Sequence, residues 1–534
     1  METKNTFTET ANEVLNNRVL TTNGAPLFKT SGSRILDCNF KVSGWRTADE
    51  ADILTEFSLA YKENPKVALT WLFFLRDCRG GLGERRAFRI IFTWLSKREP
   101  DIAIKLINYI DEYGRYDDLI YLLGVLDCHS PVFTEIIIKI KEQLFSDIRN
   151  AKSGKPISLL AKWLPSNNAS SPETRRLAKL IEPFVSDSPR DYRKLLSSLR
   201  KYLNVTEVNM SANEWENINY EKVPAKAALR YANAFLVHDE FRRREYLKSV
   251  VLGKAKANIS SINPYEILRK AVEASREDDD LADFYNTIWD NLVETGFPDT
   301  DAFDGCLPVV DTSGSMGVIV SGSVSARDIA FSLGLYFSQK ANGAFHNKMM
   351  TFSEVPGWIE VTDNMSLSEK YDIMRCGPWG MNTSIQAVFQ VLLSLAKSEN
   401  VKPEDMPKSI LIVSDMQFDR CVSSAPNFHR RILNYDYGEM GVSFETTFEF
   451  FRKEFHDAGY QLPKLIFWSV TARPENGVPM KDQGDNGVVL ISGYSQNAAK
   501  TAMSDKKEPL EALYDVLNSE RYAPIRETLS TFII

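Results

Sequence analysis

The feature that most constrains this chain is a change of hydrophobic period near Pro298-Asp299-Thr300. Before it, apolar residues recur at i, i+3 and i+4 over segments of helical length: residues 51–61, 65–75, 85–96, 100–113 and 116–126, then 133–149, 174–184, 191–203, 226–237, 241–252, 264–274 and 282–294. After it, short β-branched runs (307–310, 348–351, 358–361, 409–414, 465–470, 487–491) alternate with helical patterns (325–340, 366–375, 384–396, 444–458, 508–519). The first pattern buries helix on helix, and the second layers helices on a mainly parallel sheet. A multi-domain chain is predicted. Residues 1–47 form an extended arm lying on the helical body, 48–300 an all-α domain, and 301–534 an α/β, Rossmann-like domain. The helical segments share no exact period, which points to HEAT-like stacked pairs rather than a strict solenoid.

Length and composition agree with this division. A chain of 534 residues is too long for one core. At 43% hydrophobic and 25% charged it has the make-up of an ordinary globular protein. The start Met1-Glu2-Thr3-Lys4-Asn5 is polar with no apolar stretch behind it, so no secretory signal is expected. No apolar run approaches membrane-spanning length, and no membrane association is expected. The six cysteines (Cys38, Cys78, Cys128, Cys306, Cys376, Cys421) are widely spaced, as suits free thiols in a reducing, cytoplasmic setting. A monomer is expected.

Directly behind the run Leu307-Pro308-Val309-Val310 comes Asp311-Thr312-Ser313-Gly314-Ser315-Met316. A strand ending in a carboxylate and two alternate hydroxyls offers oxygen ligands only. That suits Mg²⁺, or another hard cation such as Mn²⁺ or Ca²⁺, and not zinc. Two further strand or turn ends join it: Thr383 in Gly380-Met381-Asn382-Thr383-Ser384, and Asp415 after Ile410-Leu411-Ile412-Val413-Ser414. In an open α/β sheet such positions fall on the carboxyl edge, where ligands bind. The competing interpretation makes Asp311, Ser313 and Ser315 mere caps and turn residues. The ordered set Asp311, Ser313, Ser315, Thr383, Asp415 resembles the metal-ion-dependent adhesion site of von Willebrand A domains. The resemblance implies that the serines and the threonine ligate Mg²⁺, that the aspartates hold the hydrated ion, and that a partner protein supplies a carboxylate or other oxygen to an open position. The pattern departs from the family where Met381 and Asn382 separate Gly380 from Thr383, and in the long 419–440 loop.

The net charge of −7 is unevenly spread. Residues 151–250 hold 18 basic against 11 acidic side chains, while residues 301–534 hold 21 against 29. The basic excess is either a solvated helical surface or a patch for an anionic polymer. Arg76, Arg79, Arg85 and Arg86 crowd the turn Gly80-Gly81-Leu82-Gly83, whose amides could cradle phosphate. Equally, the glycines could end one helix and the arginines pair with nearby acids. Lys162, Arg175, Arg176, Lys226, Arg230, Arg242 and Arg243 are the other candidates, with Trp163, Tyr192 and Tyr231 placed either to stack on bases or to fill the core.

A helical region leading into a von Willebrand A domain resembles the Ro ribonucleoprotein (TROVE) architecture. The segments 76–85, 113–119, 379–383 and 414–419 resemble more closely an uncharacterised viral, plant and fungal family of the same layout. The Ro resemblance implies binding of single-stranded or structured RNA by the helices. No nucleophile elbow, Walker A loop or His-Glu-x-x-His is present, and a non-catalytic scaffold is expected. The alternative is a protein-docking module without RNA, such as an AAA+ ATPase adaptor or a viral assembly component.

Overall fold

The computed structural model describes residues 17–21, 26–259, 261–296, 303–353, 355–377, 384–417, 444–471, 477–479, 487–501 and 508–533. The chain divides into two compact units that do not follow sequence order. One comprises residues 64–261 and 519–534, the other 1–63 and 262–518. This partition cuts across the 1–47, 48–300 and 301–534 division drawn from periodicity.

The first unit is helical. Four of its helices start the same way, at Asn64-Pro65, Ser130-Pro131, Ser171-Pro172 and Ser188-Pro189. In each, the polar side chain caps a backbone N–H of the first turn, at 3.1–3.3 Å, and proline takes a position with no N–H to lose. Phe73 anchors the core, edge-on to Phe88 and Tyr113 at 6.0 and 5.4 Å between ring centroids. The helix Ala523–Ser530 packs on Pro65–Arg76 and completes this unit.

The second unit holds a six-stranded sheet: β1 Cys306–Val310, β2 Lys348–Thr351, β3 Trp358–Glu360, β4 Ser409–Ser414, β5 Lys464–Ser469 and β6 Val488–Ser492. The spatial order is 3-2-1-4-5-6, parallel throughout except for β3, which runs antiparallel at the edge. Strands β1, β4 and β6 are buried along their whole length, as continuous apolar runs covered on both faces must be. Helix Ala326–Lys340 crosses β1 so closely that a Cβ on Gly334 would lie 2.4 Å from Val310 Cγ2.

Helices Pro264–Ala274 and Asp279–Thr295, expected to close the helical body, belong to this unit. Trp289 donates to Gln339 Oε1 at 2.6 Å, and Asn286 Oδ1 accepts from the Leu367 N–H at 2.9 Å. The arm also departs from expectation. Among its described residues, Arg18–Leu20 and Pro26–Phe28 pair as strands, while Arg34–Lys41 is a helix, followed by the 3₁₀ turn Val42–Arg46. Ser33 caps this helix, and its residues from Ile35 to Lys41 are all buried. The turn sits at the carboxyl ends of β5 and β6, where the Ser43 N–H donates to Ser492 Oγ (3.0 Å) and Tyr494 donates to the Ser43 carbonyl (3.1 Å). The arm is therefore part of the α/β unit.

Candidate metal centre and basic cavity

The strand order reverses between β1 and β4, and Asp311 and Asp415 immediately follow those two strands. Parallel sheets leave a crevice at such a switch point. Both carboxylates are buried. Asp311 Oδ2 accepts from Ser414 Oγ at 2.6 Å and Oδ1 from the Ser313 N–H at 2.9 Å, while Ser313 and Ser315 bring their hydroxyl oxygens to 3.0 Å of each other. Across the crevice Asp415 Oδ1 accepts from the Gln417 N–H at 3.1 Å, in a turn made tight by the left-handed Met416 (φ 62°).

Burial raises the Asp311 carboxyl, and the neighbouring Asp415 charge raises it further, from an ordinary 3.8 to about 7, against the pull of the Ser414 and Ser313 hydrogen bonds. Two buried carboxyl groups with converging hydroxyls, and no nitrogen or sulfur donor among them, fit a hard divalent cation. Thr383, the remaining residue of the set, lies outside the described residues, as does the 419–440 loop.

In the helical unit, the basic candidates separate into two groups. Arg76 is buried and bonded to Asp118 (2.7 and 2.8 Å), which Arg89 holds from the other side at 2.7 Å. Arg243 is only 1% exposed, enclosed by the rings of Tyr220, Phe235 and Tyr246. Neither can meet a phosphate without dismantling the core. Arg175 donates to the carbonyls of Ala169 and Ser170, Arg176 pairs with Glu173, and Arg242 spans Asp239 and the carbonyls of Trp215 and Ile218. Arg86 is half-buried on the helix Arg85–Arg98 and is not among the residues that line the basic cavity.

The glycine turn is not a phosphate cradle either. The N–H groups of Arg79 and Gly80 point at Asp77 Oδ1 (2.9 and 3.0 Å), and a Cβ on Gly81 would meet the Phe74 carbonyl at 2.2 Å. Asp77 is in turn clamped by Arg521, whose Nη2 reaches Oδ1 at 2.7 Å, and by Tyr522 at 3.0 Å. Burial pushes its carboxyl up, but the Arg521 and backbone hydrogen bonds outweigh that and hold it below the ordinary carboxylate value.

Five candidates do converge. Arg79, Arg85, Lys162, Lys226 and Arg230 line one cavity of about 1250 Å³, together with Trp163, Tyr116 and Tyr231. Sequence reasoning missed two of its basic residues, Arg115 and Arg200. Arg200 sits in the same helix as the exposed Arg193 and Lys194, and nothing local distinguishes it. Against the seven basic side chains stand only Asp111 and Glu207. Lys162 makes contact with Glu207 at 3.3 Å and Arg85 with Asp117 at 3.3 Å. No carboxylate among the described residues pairs with Arg115 or Arg230. Tyr192, the third interleaved aromatic, is fully buried and donates to the Pro165 carbonyl at 2.8 Å, so it is a core residue.

Residues 21–123 and 185–295 match a family described as a domain of unknown function (DUF2828), and residues 305–524 match another (DUF7788). Among solved structures, the Ro (RSR) protein of Deinococcus radiodurans aligns with 84% of this chain and 90% of its own, at 14% identity and a TM-score of 0.37. A likeness at that level assigns neither fold nor ligand. An uncharacterised protein of Acanthamoeba polyphaga mimivirus is 29% identical over 540 aligned positions, covering 95% of this chain and 89% of the viral protein, in keeping with the resemblance to an uncharacterised family that has viral members.

Proposed function

We propose that this chain is a non-catalytic, Ro-like RNA-binding scaffold whose helical unit takes RNA in the basic cavity. The observation that carries the reading is that cavity: seven basic side chains and three aromatics are among the residues lining about 1250 Å³, more than the roughly 300–1,000 Å³ of ordinary small-molecule clefts. Guanidinium and ammonium groups suit phosphates, and exposed ring faces suit bases.

The α/β unit adds a von Willebrand A-like docking point. Asp311, Ser313, Ser315 and Asp415, with Thr383, would hold Mg²⁺ or a similar hard cation and leave a position for a partner's carboxylate. When bound, the ion supplies a positive charge that offsets the two buried carboxylates. The free thiols Cys38, Cys78, Cys128, Cys306 and Cys376 suit a reducing compartment, and we place the protein in the cytoplasm on that ground. Among the described residues no helix is long and apolar enough to cross a membrane.

The test is a salt titration of single-stranded RNA binding. Five phosphate contacts predict a log–log slope near −3.5, and reversing Lys226 and Arg230 to glutamate should flatten it by about 1.4. Purified protein that shifts no RNA at low salt, yet captures a protein only with Mg²⁺, would replace the RNA reading with the docking-module alternative.

A further inference from the structure

Trp163 differs from most tryptophans of this chain. Trp71, Trp289 and Trp468 are wholly buried, and Trp45 and Trp215 nearly so. Trp163 is half-exposed on the cavity wall, no other aromatic ring among the described residues packs on it, and its indole N–H makes no hydrogen bond there. The guanidinium of Arg115 lies 5.7 Å from its ring centroid.

The backbone under Trp163 is fixed with unusual thoroughness. Arg200 donates from Nε to the Ala161 carbonyl (2.8 Å), from Nη2 to the Leu164 carbonyl (2.5 Å) and from Nη1 to Ser166 Oγ (2.7 Å). A single guanidinium thus spans the residues on both sides of Trp163. A ring whose backbone is fixed, which lines the cavity and has a guanidinium over it, is pre-organised for a flat partner.

We propose that Trp163 is the stacking platform for one unpaired nucleobase, with Arg115 as its cationic neighbour and Arg200 as its positioning residue. The proposal rests on the reading of the cavity as an RNA site. It requires single-stranded RNA, because the bases of a duplex are already paired and stacked.

The experiment compares wild-type protein with W163A, W163F and the double variant K226E/R230E. Each is titrated by fluorescence anisotropy with a short oligouridylate, an abasic ribose-phosphate oligomer of equal length and a matched duplex, with thermal unfolding as a fold control. Stacking predicts that W163A weakens oligouridylate binding roughly 10- to 100-fold. It also predicts that W163A leaves the abasic oligomer unchanged and that W163F retains most of the affinity. If K226E/R230E loses binding while W163A binds as wild type, the stacking role is wrong and the cavity reading survives. Equal loss of base-bearing and abasic oligomers in W163A, or a duplex bound as tightly and weakened alike, would reduce the indole to a structural prop and overturn the proposal. If K226E/R230E binds like wild type, RNA does not use this cavity and both readings fall together.

Discussion

Asp311 is a carboxyl group that folding keeps protonated until near-neutral pH. With its folded value raised from 3.8 to about 7, the stability it contributes is full below the unfolded value and is lost as pH climbs through that window. A divalent cation competes with the proton for the same oxygens. Mg²⁺ should therefore raise the thermal midpoint little at pH 5 and progressively more up to pH 8, and D311A should abolish the Mg²⁺-dependent shift while leaving RNA affinity intact. A Mg²⁺ shift that survives in D311A would remove Asp311 from the site. Arg76 belongs to a different class of residue. Replacing it by alanine leaves the buried Asp118 with Arg89 as its ion-pair partner and should destabilise the protein in chemical denaturation by less than the roughly 3–5 kcal/mol of a fully stranded buried charge, with RNA affinity per folded molecule unchanged.

At the scale of elements, much was legible. The six strands lie within a residue or two of the runs that announce them, because strands buried on both faces are near-continuous apolar stretches between turn formers. The placement of Asp311 and Asp415 at strand ends followed from the same pattern. The helix Arg34–Lys41 was not legible, because the elements it packs on, such as β6, lie far along the chain. The helical pattern over 226–237 hides a break at Tyr231, between Ala225–Arg230 and Ala232–His238. The partners that remove Arg76 and Arg243 from the phosphate candidates were equally invisible: Arg76 and Asp118 are 42 residues apart, and no local pattern marks such a pair. The packing of Ala326–Lys340 on β1 predicts that G334A costs about 1–3 kcal/mol, since Val310 is rigid and the added methyl has no room. A thermal midpoint for G334A equal to wild type would show that the helix can slide away from the strand.

At the scale of the molecule, residues 519–533 are part of the helical unit, although the residues before them belong to the α/β unit. Arg521 and Tyr522 enclose Asp77, and Tyr522 stacks on Tyr113 at 5.7 Å. Asp77 has a depressed folded value, so the stability it adds is present above the unfolded value and lost as pH falls through the folded one. D77N should consequently destabilise the protein at pH 7 and much less below pH 4, as urea midpoints would report. Deleting residues 519–534 should lower hydrogen-exchange protection across 65–125 while leaving that of β1, β4 and β5 unchanged.

The interrupted order of the units also bears on biosynthesis. Asp77 emerges from the ribosome 444 residues ahead of the arginine that neutralises it. At about 5–20 residues per second, the nascent helical unit waits roughly 20 to 90 s with an uncompensated carboxylate where its core must close. During that interval the chain is a client for chaperones, and a chain truncated before Arg521 would carry a helical unit that never finishes folding.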